Sequence, residues 1–473
     1  MYEVVERELK WEVDEEFVLP TLDDIVEGAD VSHTTLQLTS SYYDTADGDL
    51  GAHGVLLRRR DGDDDTGWQL KVPDTEGRVE IRTSPSETPP SELTEMLTGM
   101  RLGKPLVNIA TIRTVRDRYR ISEPKRNRVC VEVDVDQVRA SVEDRLLAWR
   151  EVEVELGPKT KAIPCELADR LARSGAKPSQ YPSKLARAAH PDWSAPHGDT
   201  PAAAEAIAKY LDAQIDDVFA GDLGLRRGSD PIHDTRVAIR RLRSTLRVFG
   251  KLLEAENIAG VEDELKWFAT LLGEVRDRQV QRRRFREALA ELPPELVLGP
   301  VANRINNDLQ SGQLQARQRV TEAMDSPRYL ALLKTLQQWR VDPPIADGIS
   351  LKALTKRAHR AERKADQRLV DGIESGDDVL LHRGRKAAKR ARYAAELRRP
   401  LDASAKRTVK YYKQFQRVLG DHQDGAIAAE TLLRLALIAG TTVGESGFTF
   451  GMLYAQEQHA AAEAKRKVIE LLG

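Results

Sequence analysis

The chain has 473 residues, 41% hydrophobic and 31% charged, which is enough for more than one core and far more charge than cores need. Its net charge of −2 hides a split, with 38 acids against 27 bases in residues 1–199 and 37 against 46 in residues 200–473. It has no run of about 18 apolar residues, no apolar core in MYEVVERELK and only two separated cysteines, Cys130 and Cys165; no membrane span, secretory leader or disulfide scaffold is expected, and a cytoplasmic setting fits.

From the N-terminus, period-two alternation predicts strands over 4–13, 55–60, 68–72, 78–83, 109–121, 129–135 and 149–156. Turns rich in Gly and Asp separate them, and short helices are expected at 22–28, 91–98 and 164–174. This density of strands predicts one closed antiparallel β-barrel.

Charged residues alternate along these strands. Glu6, Glu8 and Lys10 share one face, as do Arg58 and Arg60, Gln69 and Lys71, and Arg78, Glu80 and Arg82. Glu132, Asp134 and Asp136 form another set, and Glu151, Glu153 and Glu155 a further one. Apolar residues such as Leu9, Leu70, Val131 and Val154 lie between them. Both signs repeating on several strands point to a charged lumen rather than a solvated outer face. Carboxylates there can hold Mg2+ or Mn2+, and arginine can clamp phosphoryl oxygens in a bidentate manner. The sequence has neither a Walker loop nor a Ser/His/Asp signature.

The set Glu6-x-Glu8-x-Lys10, Arg58-x-Arg60, Lys71, Arg113, Arg116, the Glu132/Asp134/Asp136 group, Glu153-x-Glu155 and Lys184 resembles the CYTH family of triphosphate tunnel metalloenzymes. That family includes inorganic triphosphatases, thiamine triphosphatases and class IV adenylate cyclases. The resemblance implies metal binding by Glu6, Glu8, Glu153, Glu155 and one of Glu132, Asp134 and Asp136. It implies triphosphate contacts from Lys10, Arg58, Arg60, Lys71, Arg116 and Lys184, with Arg113 as a further one. Glu6, Glu8 and Lys10 are the candidate catalytic trio.

A Pro- and Gly-rich stretch predicts a linker at 191–201 between a unit 1–190 and a helical unit 202–473. A break at 341–350 divides the helical unit into about 202–340 and 350–473. His233-x2-Arg236-x3-Arg240-Arg241-x-Arg243 recurs as His382-x2-Arg385-x3-Lys389-Arg390-x-Arg392, and Leu272-Gly273-x3-Asp277 recurs as Leu419-Gly420-x3-Asp424. Two motifs in one order at nearly one spacing predict a duplicated helical bundle.

On a helix, His233, Arg236, Arg240, Arg243 and Arg247 form one stripe, opposite Ile239, Leu242, Leu246 and Phe249. Residues 235–251 contain no acid, so the stripe repels itself and calls for an anion. Glu396 replaces the last arginine in the second copy. Basic runs at 276–286 and 352–364 add to the charge. Aromatics are scarce, with Tyr393 alone near the stripe, which argues against nucleic acid, whose bases need stacking platforms.

The duplicated motif resembles the CHAD family, a helical domain that binds inorganic polyphosphate. The resemblance implies a binding surface of His233, Arg236, Arg240, Arg243, Arg247, His382, Arg385, Lys389 and Arg392, with Asp277 and Asp424 orienting basic side chains. The joint expectation is an α+β chain in which a barrel hydrolyses inorganic triphosphate or a related triphosphate and a helical domain holds polyphosphate, at polyphosphate granules among other places. The alternatives are a non-enzymatic granule-associated protein and a class IV-like adenylate cyclase.

Overall fold

The computed structural model describes residues 1–62, 66–74, 77–123, 128–189 and 202–471. It divides into two compact units, residues 1–197 and 198–473. The expected linker at 191–201 lies outside the described residues.

The first unit is a ten-stranded antiparallel sheet. Its strands are β1 (Tyr2–Glu6), β2 (Glu8–Val13), β3 (Asp30–Asp44), β4 (Leu56–Asp61), β5 (Gly67–Asp74), β6 (Gly77–Thr83), β7 (Val107–Glu123), β8 (Arg128–Val142), β9 (Arg145–Leu156) and β10 (Lys177–Pro178). Helices α1 (Asp49–Ala52), α2 (Ser91–Met96), α3 (Thr98–Arg101), α4 (Cys165–Arg173) and α5 (Lys184–Ala189) fill the connections. The strand order is β1-β6-β5-β4-β3-β7-β8-β9-β2-β10.

The expected closed barrel is corrected here, because the hydrogen-bonded ladder is open. β1 pairs with β6 and β2 pairs with β9, and no ladder joins β1 to β2. Only Arg7 separates those two strands along the chain, so backbone continuity brings the two sides of the sheet together. Gly77 permits the β1 contact: with φ of 144°, a Cβ there would lie 2.4 Å from the Glu6 carbonyl oxygen.

The apolar faces of β8 and β9 are buried outward. Val131, Val133, Val152 and Val154 pack with Leu167 and Leu171 of α4 and with Phe17, Leu22 and Ile25. The charged faces therefore turn inward. The helix expected at 22–28 is instead a series of turns, because Asp24 takes φ of 64° and breaks any helical run. Leu9 lies on the outer face and stays 44% exposed.

The second unit comprises α6 (Ala202–Arg226), α7 (Ile232–Phe249), α8 (Ala255–Ile258), α9 (Val261–Ala290), α10 (Val301–Met324), α11 (Pro327–Val341), α12 (Leu351–Ser375), α13 (Asp378–Arg398), α14 (Ala405–Gly440) and α15 (Phe448–Glu470). The duplication is visible: α6, α7, α9 and α10 pack in succession as α12, α13, α14 and α15 do. Ile239, Leu242, Leu246 and Phe249 of α7 are buried, so its basic face is left for other work. The copies share a core in which Phe285, Ile305 and Leu309 meet Leu432, Leu435 and Phe450. α7 also packs on α13, which brings the two copies of the motif together.

Candidate functional site

The rolled sheet encloses a cavity of about 240 Å³. Strand register sorts its walls. Across β8, β9 and β2, Glu132, Glu155 and Glu8 stand side by side, and Asp134, Glu153 and Lys10 form the next row. β7 sets Arg120, Arg118 and Arg116 beside Glu132, Asp134 and Asp136. The other wall is basic, with Arg58 and Arg60 from β4 and Lys71 from β5.

Most of these charges are paired. Lys71 Nζ donates to both Glu6 oxygens at 2.7 and 2.6 Å and lies 2.9 Å from Glu80. Arg116 donates to Asp136 at 2.8 and 2.6 Å and to Glu153 at 2.6 Å, and also meets Asp134. Lys184 Nζ sits 2.8, 2.8 and 2.7 Å from Asp136, Glu151 and Glu153. Burial works against each charge; it prevails at Glu6, which is raised despite Lys71, while at Glu153 and Lys184 the partners outweigh it. Lys10, Lys184 and Arg116 hold Glu153 well below the usual carboxylate range, and Asp136, Glu151 and Glu153 hold Lys184 well above the usual lysine range.

Two groups are left over among the described residues. Arg60 is buried and has no carboxylate partner; its Nε lies 3.5 Å from Ser40 Oγ, and burial with the nearby Arg58 and Arg116 lowers it to about 10. The Glu155 carboxylate makes no hydrogen bond or ion pair among the described residues, and burial, with Glu6 and Glu132 beside it, raises it to about 7 against the pull of Lys71. Burial likewise raises Asp134 to about 6, against Arg116 and Arg118.

Two carboxylate groupings are candidates for a divalent cation. Asp136, Glu151 and Glu153 offer oxygens within 4.8 Å of one another. The Lys184 ammonium, however, already sits against all three. The row Glu132–Glu155–Glu8, with Glu6 nearby, fits a hard cation better, because Glu155 makes no ion pair among the described residues and the pull of Lys71 does not offset its burial and the acids around it.

In the helical unit, a groove of about 780 Å³ gathers side chains from four helices. α7 contributes His233, Arg236 and Arg240, and α13 contributes His382, Arg385, Lys389 and Arg392. α9 adds Arg276, Arg283 and Arg284, and α14 adds Lys410, Lys413 and Arg417. Its lining acids among the described residues are Asp277 and Asp424.

The repeated Leu-Gly-x3-Asp element explains how the arginines sit. Arg236 Nη1 donates to the Gly273 carbonyl at 3.1 Å and to Asp277 at 3.2 Å. A Cβ at Gly273 would lie 3.3 Å from Arg236 Nη2, and one at Gly420 would lie 3.1 Å from Arg385 Nη2. Each glycine is thus a notch for the guanidinium of the facing helix. Arg385 also donates to Gln423 Oε1 at 2.7 Å, 2.6 Å from which lies His382 Nδ1. The buried Nε atoms of Arg240 and Arg385 have no acceptor among the described residues. Burial, then Arg385 and Arg240, push Lys389 down to about 7, and burial also lowers His233 and His382.

Two family models match the chain, CYTH domain over residues 5–188 and CHAD domain over residues 209–433. An uncharacterised protein of Mycobacterium tuberculosis is 31% identical over 497 aligned residues, covering 98% of this chain and 95% of that one. The chain belongs to the CYTH–CHAD family. Among solved structures, the CHAD domain of the plant Ricinus communis is similar at 26% identity over 57% of this chain and 92% of that chain, with a TM-score of 0.48. A Hippeastrum protein, described as a candidate adenylyl cyclase revealing a dominant triphosphatase activity, is similar at 18% identity over 40% of this chain and 98% of that chain, with a TM-score of 0.24.

The CYTH cavity collects Glu6, Glu8, Lys10, Arg58, Arg60, Lys71, Arg116, Glu132, Asp134, Glu153, Glu155 and Lys184. Asp136 stands behind them, bonded to Arg116 and Lys184. Arg113 is a correction: it is exposed, because an odd spacing from Arg116 on a pleated strand puts it on the opposite face. The inward arginines that sequence reasoning missed are Arg118 and Arg120, whose alternation with Arg116 was the available signal.

The CHAD groove collects His233, Arg236, Arg240, His382, Arg385, Lys389 and Arg392. Arg243 and Arg247 are corrections. They lie farther along α7, outside the groove, and bind Glu262 of α9 at 3.2 and 2.6 Å. Glu396 lies outside the groove lining and meets both Arg241 at 3.0 Å and the groove residue Arg392 at 3.2 Å. Lys410, Lys413 and Arg417 were missed, since nothing in their own segment marks them as facing α13.

Proposed function

We propose that the CYTH domain hydrolyses inorganic triphosphate, or a closely related triphosphate, with Mg2+ or Mn2+, and that the CHAD groove binds inorganic polyphosphate. The observation that carries the first half is a pair of buried groups in one cavity, Arg60 and Glu155, that make no ion pair among the described residues. A phosphate chain beside a divalent ion would supply both partners. Glu6, Glu8, Glu155 and Glu132 would hold the ion, which when bound polarises phosphoryl oxygens and acidifies a water.

The chain's own residues orient the substrate. Arg58, Arg60 and Lys71 offer donors to the phosphoryl oxygens, and Arg116 and Lys184 are fixed in place by the carboxylates behind them. Tyr42 is the lone aromatic side chain of the described lining and is itself buried, so the described residues offer no exposed stacking platform for an adenine, which favours hydrolysis over cyclase chemistry. For the CHAD groove, the unsatisfied Arg240 and Arg385 Nε atoms and the depressed Lys389 favour a polyanion made of phosphate alone. Two phosphate-handling modules on one chain raise the local concentration of ligand for each other.

The test is phosphate release from inorganic triphosphate, ATP and thiamine triphosphate with Mg2+ or Mn2+, beside the Glu6→Gln/Glu8→Gln double variant. Release from triphosphate that vanishes in the variant while polyphosphate binding persists supports the reading. Cyclic AMP as the main product, or turnover that survives the double substitution, overturns it.

A further inference from the structure

Among the described residues, every cation of the CYTH cavity lining sits on a strand except Lys184. A strand residue is aimed by its register. Lys184 instead opens α5, a helix of six residues, which is too short to hold its shape unaided. Its aim must come from what α5 rests on. Leu185 and Ala188 bury against Ile112, Val138 and Ala140 at the apolar end of the sheet. Apolar burial has no direction, so it keeps α5 docked without fixing where the ammonium points.

The directional contacts run through Trp149 of β9. Its Nε1 donates to Glu151 Oε2 at 2.5 Å, and Glu151 Oε1 lies 2.8 Å from Lys184 Nζ. The same indole carries Arg187 on its face, with the guanidinium carbon 5.0 Å from the ring centroid. Lys184 and Arg187 stand one turn apart on α5, so one tryptophan reaches both. The other two carboxylates at Lys184, Asp136 and Glu153, are shared with Arg116. Glu151 is buried and stands behind the cavity lining rather than in it. Trp149 and Glu151 can therefore act on the cavity through the placement of Lys184.

We propose that Trp149 and Glu151 are positioning residues of the CYTH site. The indole N–H fixes the Glu151 carboxylate, and that carboxylate sets where Lys184 presents its charge to a phosphoryl oxygen. This rests on the reading of the cavity as a triphosphate site, and it accounts for the one lining cation that the strands do not aim.

The experiment measures kcat and KM for phosphate release from inorganic triphosphate with Mg2+ by the full-length protein. It compares the wild type, Trp149→Phe, Glu151→Gln and the double variant, with thermal midpoints beside them. Trp149→Phe keeps a ring for Arg187 and removes the N–H. It should raise KM roughly ten-fold with kcat changed less than about two-fold, as for the loss of one hydrogen bond to a charged group that binds substrate and transition state alike. Glu151→Gln should do the same, and the double variant should add nothing, because both changes act through one ammonium. A variant that merely leaves fewer molecules folded lowers kcat at unchanged KM. Val142→Ala, which thins the apolar cluster around α5, should lower the thermal midpoint and leave KM alone. An unchanged KM in Trp149→Phe, or losses that sum in the double variant, would overturn the positioning role while leaving the triphosphate site standing. If Glu151→Gln fails to fold, the KM of Trp149→Phe decides by itself. A wild type that releases no phosphate would remove the triphosphate reading, and this proposal with it.

Discussion

Lys389 should make the proposed polyphosphate binding a proton-linked event. It faces Arg236 and Arg240 from α7, Arg385 from its own helix and Asp424 from α14, and it sits at about 7 in the ligand-free groove. A bound polyanion replaces that repulsion with attraction and returns the amine toward its ordinary value of about 10.4. Binding at pH 7 should then take up about half a proton at this group. The charged fraction of the free groove falls about ten-fold between pH 6 and pH 8, so the affinity should fall about ten-fold over the same range, worth about 1.4 kcal/mol. Titration calorimetry in buffers of different ionisation enthalpy reads the proton uptake directly. Lys389→Arg, which stays charged, should bind at pH 8 nearly as it does at pH 6; His233 and His382, lowered from the usual imidazole range by burial, add a separate rise toward acid pH. An unchanged ten-fold fall in Lys389→Arg, or no proton uptake in the wild type, would refute the argument. The sign for stability is opposite to that of a salt-bridged lysine. The unfolded chain binds more protons here between about pH 7 and 10, so this group makes the ligand-free protein more stable as pH rises through that window.

Other substitutions separate the roles of individual groups. Arg118→Ala removes an inward guanidinium and should lower kcat/KM for triphosphate by roughly ten- to a hundred-fold, whereas Arg113→Ala on the exposed face should change it less than two-fold; steady-state phosphate release decides both. Lys184→Ala leaves Asp136, Glu151 and Glu153 without their ammonium and should cost about 3–5 kcal/mol in chemical denaturation, a loss that Lys184→Arg would partly avoid. Gly420→Ala should weaken polyphosphate binding by displacing Arg385 while leaving the thermal midpoint unchanged or slightly raised, since alanine is the better helix former.

Much of this arrangement was legible in the residues. The duplication could be read because motif residues recur at fixed spacing, and the inward charge because period two is rigid on a pleated strand. β3 was not legible: residues 30–35 are exposed, so no apolar alternation marks them. Leu22, Ile25 and Val26 imitate a helical spacing, yet they belong to a turn-rich segment whose Leu22 and Ile25 fill the core outside β8 and β9. The open ladder was hidden too, since it depends on β1 and β2 choosing different partners within a single run of alternation. In the groove, the stripe was visible but its end was not. Only the packing of α9 against α7 reveals that Glu262 takes Arg243 and Arg247, and only the approach of α14 adds Lys410, Lys413 and Arg417.

The junction at Arg7 also sets an order of events during folding. β1 pairs with a strand that begins at Gly77, whereas β2 must wait for β9, so Glu8 meets Glu155 only after most of the domain has left the ribosome. Contacts so distant in sequence form slowly. Glu8 is thus separated from its cross-strand neighbour by most of the domain, whereas Glu6 meets Lys71 and β6 much earlier. The nascent domain carries an unpaired β2 edge until then, and a chain stalled before residue 145 has no tunnel to complete.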